Sequence, residues 1–120
     1  MSAPGRAAPN AGVCFHLTPE EVWRTQEKSE TYQPEAFAED GFIHCTIGAD
    51  EVLKAGDRYY QADPRSYVVL ELDMARITAP VRFDDFTDLY PHVYGSLDRN
   101  AVSIVRRIER DKEGRFVAIR

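Results

Sequence analysis

The run Tyr67-Val68-Val69-Leu70-Glu71-Leu72 constrains the fold more than any other stretch of this chain. It is apolar on both of its alternating faces. A strand of that kind must be covered on both sides, which places it at the centre of a sheet. Helical patterns precede it and strand patterns follow it. That order predicts an α+β chain rather than a doubly wound parallel sheet.

The other elements arrange themselves around this strand. Val13 to Leu17 reads as a first strand, with Val13, Phe15 and Leu17 on one face and Cys14 and His16 on the other. Thr18 as N-cap, Pro19 at the first helical position and Glu21 in a capping box predict a helix that fades near Ser29-Glu30. Leu17 and Val22 are spaced to form a hydrophobic staple, and Trp23 is expected to anchor that helix in the core. Pro34 predicts a short helical turn within Tyr32 to Ala38. The pair Asp40-Gly41 then turns the chain into a strand from Phe42 to Ile47. On that strand Phe42, His44 and Thr46 share one face, while Ile43, Cys45 and Ile47 share the other. A polar pair opposite an apolar trio suggests a sheet with one side lining a cleft. Val52, Leu53, Ala55, Gly56, Tyr59 and Tyr60 repeat at helical spacing and predict a second main helix from about Asp50 to Tyr60. Strands are predicted at Pro80 to Asp84, at Ala101 to Glu109 and at Arg115 to Ile119. The turn Asp111-Lys112-Glu113-Gly114 joins the last two as a hairpin. Met1 to Gly12, rich in Ala, Pro and Gly and without an apolar core segment, reads as a tail and not as a secretory signal. Residues 13–120 are then one domain.

Composition excludes several classes. No apolar run approaches the length that spans a bilayer. The net charge is −5 and disfavours a broad nucleic-acid face. The charge is uneven: residues 1–100 carry nine Lys/Arg against seventeen Asp/Glu, whereas residues 101–120 carry six against three. The last strands could offer a small basic patch to a phosphate, or simply balance an acidic body. Cys14 and Cys45 fall in predicted strands, where buried free thiols are expected of a cytoplasmic chain. Signatures for a dinucleotide fold, a phosphate loop, a zinc protease or a serine hydrolase are missing.

What remains is His16, His44 and His92, together with Tyr32, Tyr90, Tyr94, Thr46 and Asp84. Histidine donates, accepts or carries a proton near neutral pH. On a strand beside a hydroxyl it can hold a ribose hydroxyl or a carbonyl, and a carboxylate such as Asp84 can act as a base or stabilise positive charge. Against this, a single histidine is commonly a satisfied structural group, Asp84-Asp85 reads equally as an exposed acidic turn, and Tyr90 and Tyr94 read as packing. A zinc or iron site at the three histidines and Asp84 fits by ligand type, although none of the spacings pre-organises a pair of ligands on one element.

The pieces Phe15-His16-Leu17, Trp23, Tyr32-x-Pro34, Glu39-Asp40-Gly41-Phe42-Ile43-His44-Cys45-Thr46, Arg58-Tyr59-Tyr60, Pro80-Val81-Arg82-Phe83-Asp84 and Tyr90-Pro91-His92-Val93-Tyr94-Gly95 together resemble the bacterial family known as domain of unknown function 952. The resemblance runs from about Val13 to Val105. It departs at Thr46, where the family has Ser, at Asp84, where it has Glu, and in a shortened loop from Asp84 to Tyr90. That family's fold is similar to ADP-ribosyltransferases. The resemblance therefore implies a split, mostly antiparallel sheet with two main helices and a histidine-lined cleft for NAD or an ADP-ribose-like nucleotide. It implies His44, Asp84 and His92 as catalytic residues and His16, Tyr32, Thr46 and Tyr94 as cofactor-binding residues. Transfer or hydrolysis of ADP-ribose is the implied activity. A non-catalytic nucleotide sensor, or a metal-dependent enzyme using the three histidines, stands as the alternative.

Overall fold

The structure, a computed structural model, describes residues 5–120. The chain runs β1 (Arg6–Ala7), β2 (Val13–Pro19), α1 (Glu20–Arg24), β3 (Thr31–Tyr32), α2 (Phe37–Asp40), β4 (Ile43–His44), α3 (Ala49–Tyr59), β5 (Tyr67–Asp73), β6 (Val81–Phe83), β7 (Pro91–Val93), β8 (Leu97–Asp98), β9 (Val102–Arg110) and β10 (Phe116–Ile119). Among the described residues all strand pairings are antiparallel, and the fold is α+β with three helices. One four-stranded sheet has the order β10-β9-β5-β2, a second the order β1-β6-β7-β4, and β3 pairs with β8. The two larger sheets meet at one residue pair, where Phe15 and Thr46 exchange both backbone hydrogen bonds (2.7 and 2.8 Å).

As its sequence requires, β5 is central, paired with β2 on one side and β9 on the other. Its Val68, Leu70 and Leu72 join Cys14 from β2 in a core that also holds Trp23, Tyr32, Ile43, Cys45, Val93 and Leu97. α3 packs against β10 and β2 and turns Val52 and Gly56 inward. Gly56 lies so close to the Phe116 ring that a Cβ there would sit 2.5 Å from a ring carbon. Gly56→Ala should therefore destabilise the protein by about 1–3 kcal/mol despite alanine's better helix propensity. Chemical denaturation of Gly56→Ala, Phe116→Leu and the double variant tests this. Strictly additive losses would show that the contact is not the cause.

Three local expectations are corrected. The capping pattern predicts Thr18 as an N-cap, but β2 continues through Pro19 and no side chain caps α1. The Thr18 hydroxyl is taken by Tyr32 (2.7 Å), and Glu21, expected to close a capping box, pairs with Arg65 (3.0 Å). The helix expected to reach Ser29-Glu30 ends at Arg24, because its later groups find tertiary partners. The Gln26 side chain pairs with the backbone of Gln33 (2.8 and 3.0 Å), and Arg99, stacked on Trp23 at 4.3 Å, donates to the carbonyls of Gln26 and Ser29. Within the stretch read as a tail, Arg6–Ala7 form an edge strand on β6, and Arg6 pairs with Asp88 (2.7 Å). Its first four residues lie outside the described part.

Three of the six Lys/Arg of the last twenty residues are paired with carboxylates, and one of those carboxylates, Glu71, comes from outside the stretch. Arg106 pairs with Glu71, Arg115 with Asp111 and Arg120 with Glu109. No helix is long and apolar enough to cross a membrane.

Candidate functional site

Three short strands set out the site. In β4, β7 and β6 the residues His44, His92 and Arg82 are direct cross-strand partners, so their side chains form one row on one face of the sheet. Alternation sends Ile43, Val93 and Phe83 to the buried side. Phe42 before β4 and Tyr94 after β7 extend the row by one strand step each. The Phe42 ring stacks on His92 at 4.1 Å and 18°, and lies 4.7 Å from His44 and 5.3 Å from Tyr94. The two imidazoles meet edge to face at 5.1 Å.

Each histidine is held by a carboxylate. Asp40 ends α2, and Gly41, at φ +76°, supplies the left-handed turn that reverses the chain into β4. This turn brings Asp40 within 3.0 Å of His44 Nε2. Asp84, just past β6, accepts from His92 Nδ1 at 2.8 Å and from the Tyr94 hydroxyl on the same oxygen. These bonds, the Tyr94 hydroxyl first and His92 next, hold the Asp84 carboxyl below the usual carboxylate range, helped by nearby Arg82. Partial burial and the carboxylate push the Tyr94 phenol up. The other Asp84 oxygen faces Gly5, where a Cβ would sit 1.9 Å from it, so a larger residue there would displace this carboxylate.

The remaining expected residues lie beneath this face. His16 is buried, and burial lowers its pKa to about 4, so the ring is neutral at pH 7. Its Nδ1 sits 2.7 Å from the His44 carbonyl oxygen and must carry the proton. The neutral ring then accepts at Nε2, 3.0 Å from the Tyr32 hydroxyl. With the Tyr32 proton used there, Thr18 is the donor in the Tyr32–Thr18 bond. That direction agrees with Thr18 acting to lower the Tyr32 phenol pKa, while burial raises it overall. Thr46 is also buried: β4 ends at His44, and the chain turns to join Phe15, so Thr46 leaves the face of His44. Cys14 and Cys45 are buried free thiols, and their hydrogen bond, with burial, pushes the Cys45 thiol up.

The structure thus brings together His44, Asp84, His92 and Tyr94 on one face, and puts His16, Tyr32 and Thr46 in the interior. The three histidines do not form one metal site, since both His16 ring nitrogens are engaged inside, and no group of three or more ligating side chains that could hold a metal is present among the described residues. On this face His44 and Arg82 are exposed, and Phe42, His92 and Tyr94 are half-buried. A concavity of about 400 Å³ begins beside it, lined by Ala8, Pro9, Ile77 and Ala79 and ending at Arg82. Asp40, Phe42 and Arg82 complete the site; alternation puts Phe42 on the face of His44, whereas Asp40 and Arg82 are not singled out on sequence. Asp40 is four residues before His44, and Arg82 is one strand step before Asp84. Both spacings were readable once His44 and Asp84 were taken as outward-facing.

These features define a small antiparallel α+β domain with paired carboxylate–histidine groups on one sheet face. The chain belongs to the family described as protein of unknown function (DUF952), whose pattern matches residues 17–105. Among curated proteins none matches. The fold is similar to that of protein CC0527 from Caulobacter crescentus. One crystal structure of that protein aligns with a TM-score of 0.75 at 14% identity, covering 88% of this chain and 94% of that one. The crystal structure of its double mutant gives 0.74 over the same shares, also at 14% identity. Its solution NMR structure gives 0.64 at 14% identity, over 86% and 90%.

Proposed function

We propose that this face binds NAD or an ADP-ribose-like nucleotide in an ADP-ribosyltransferase-like fold, and that Asp84 and His92 act on it as a proton-accepting pair. The observation that carries this reading is the single Asp84 oxygen that receives both His92 Nδ1 and the Tyr94 hydroxyl. With its proton on Nδ1, neutral His92 keeps a lone pair on Nε2 for a general-base step. Phe42 supplies an aromatic surface for a planar ring, and His44, held by Asp40, stands beside it in the same row. In the reaction the nicotinamide–ribose bond breaks and its electron pair leaves with nicotinamide. Water or an acceptor hydroxyl attacks the ribose carbon and gives its proton to His92 Nε2. The negative charge of Asp84 favours the positive sugar-like transition state and the imidazolium that forms.

A second reading, a sensor that binds the nucleotide without turning it over, is favoured by the crowding of Asp84. Two donors hold one of its oxygens and Gly5 covers the other.

An NMR titration of labelled protein with NAD tests the site. The His44 and His92 rings should shift and saturate together, while the ring of buried His16 stays still. Absence of any shift at His44 and His92 would overturn the assignment. With binding established, free nicotinamide is assayed. In the enzyme reading His92→Gln lowers its release by about 10²–10⁴-fold. Binding by the wild-type protein without release selects the sensor.

A further inference from the structure

We propose that Arg82 is the phosphate-reading residue of this site, and that the ligand is a dinucleotide whose diphosphate sits on Arg82 between the histidine row and the adjoining concavity. The inference rests on the nucleotide reading above and adds the ligand's polarity and its orientation on the surface.

Arg82 is the cross-strand partner of His92, and through it stands in line with His44. It is exposed, and its guanidinium lies 5.4 Å from the Tyr94 ring centroid. Among the described residues it forms no ion pair. Seven other arginines meet carboxylates, among them Arg6, Arg24 and Arg65, while Arg99 and Arg110, which also form no ion pair, are taken up by backbone carbonyls. Both carboxylates of the site are already engaged, Asp40 by His44 and Asp84 by His92 and Tyr94. The guanidinium fork is therefore left for an anion supplied from outside. Arg82 is the guanidinium of this face, and its planar fork matches the geometry of a phosphate.

The position of Arg82 also sets the length of the ligand. On one side of it lies the aromatic row of His92, Phe42 and His44. Neighbouring strands are about 4.8 Å apart, so the row reaches roughly 10 Å from Arg82 to His44, the span of a nucleoside. Arg82 also borders the concavity, where Pro9 and Ile77 beside Asn10 and Thr78 offer a mixed apolar and polar surface to a second ring. A single nucleoside would occupy the row alone. A dinucleotide occupies both sides, and the only part of it that crosses Arg82 is the diphosphate.

The test compares ligands that differ in phosphate, on wild type and Arg82→Gln, by calorimetry and by the His92 ring resonance. NAD and ADP-ribose should bind the wild type about tenfold or more tighter than nicotinamide riboside, which has no phosphate. In Arg82→Gln that advantage should disappear while riboside binding is unchanged, and Arg82→Lys should restore only part of it. Inorganic pyrophosphate should shift His92 in the wild type and not in Arg82→Gln. If NAD binds both forms equally, the phosphate assignment falls and the nucleotide reading survives. If pyrophosphate binds through Arg82 but no nucleotide or nucleoside binds, the nucleotide reading falls and Arg82 remains an anion site. If neither pyrophosphate nor NAD binds the wild type, both are overturned.

Discussion

Between pH 6.5 and pH 4 the wild-type protein should lose about 3 kcal/mol of unfolding free energy through His16 alone, and His16→Asn should lose none of it. The folded ring, buried against the His44 carbonyl and Tyr32, takes up a proton only near pH 4. In the unfolded chain the same ring is protonated near 6.5. Within that window the unfolded state binds more protons, so falling pH favours unfolding. The contribution is complete above pH 6.5, is lost progressively down to pH 4, and falls no further below it. Asparagine keeps a donor for the His44 carbonyl and removes the titration. The variant starts lower, by about 1–3 kcal/mol, because Tyr32 loses a buried partner. Urea denaturation from pH 4 to pH 7.5 measures both effects. Equal slopes in the two proteins would rule out His16 as the source.

Arg110→Ala should be the other severe change, costing about 3 kcal/mol or more. The Arg110 side chain meets no carboxylate. Its fork donates to the carbonyls of Arg65, Tyr60, Gln61 and Gly114, at 2.7 to 3.2 Å. Its plane lies 4.3 Å from the Phe116 ring centroid and 5.5 Å from that of Tyr67. It thereby ties the end of α3, the start of β5 and the β9–β10 hairpin together. Truncation leaves several partly buried carbonyls without a donor and removes two cation–aromatic contacts. Lysine should recover less than half of the loss, since a point charge cannot reach carbonyls on three segments at once. Thermal unfolding of the two variants decides this, and full recovery by lysine would show that charge alone suffices.

Much of the scaffold was legible in order along the chain. The two-faced apolar run became the central strand, Val52 and Gly56 of the predicted stripe faced inward on α3 while Tyr59 stayed 67% exposed, and Asp111 to Gly114 turned a hairpin. What escaped depended on partners distant in sequence. α1 is one turn long because Arg99 and Gln33 claim the groups that further turns would have used. β1 forms because Arg6 reaches the 84–88 loop. The outer site was legible by alternation about His44 and His92. His16 was not separable from them, because alternation shows that it shares a face with Cys14 but not that this face points inward. Thr46 fails for the opposite reason, since alternation holds only as long as the strand does.

The contact between Gly5 and Asp84 makes the beginning of the chain part of the site's wall. Gly5 itself lies at the rim of the carboxylate–histidine face. An affinity tag or fusion partner joined at Met1 would be tethered only four residues from that rim, and could screen the surface that ligand studies are meant to probe. The far end of the chain leaves from β10, an edge strand of the other large sheet, which makes it the safer point of attachment.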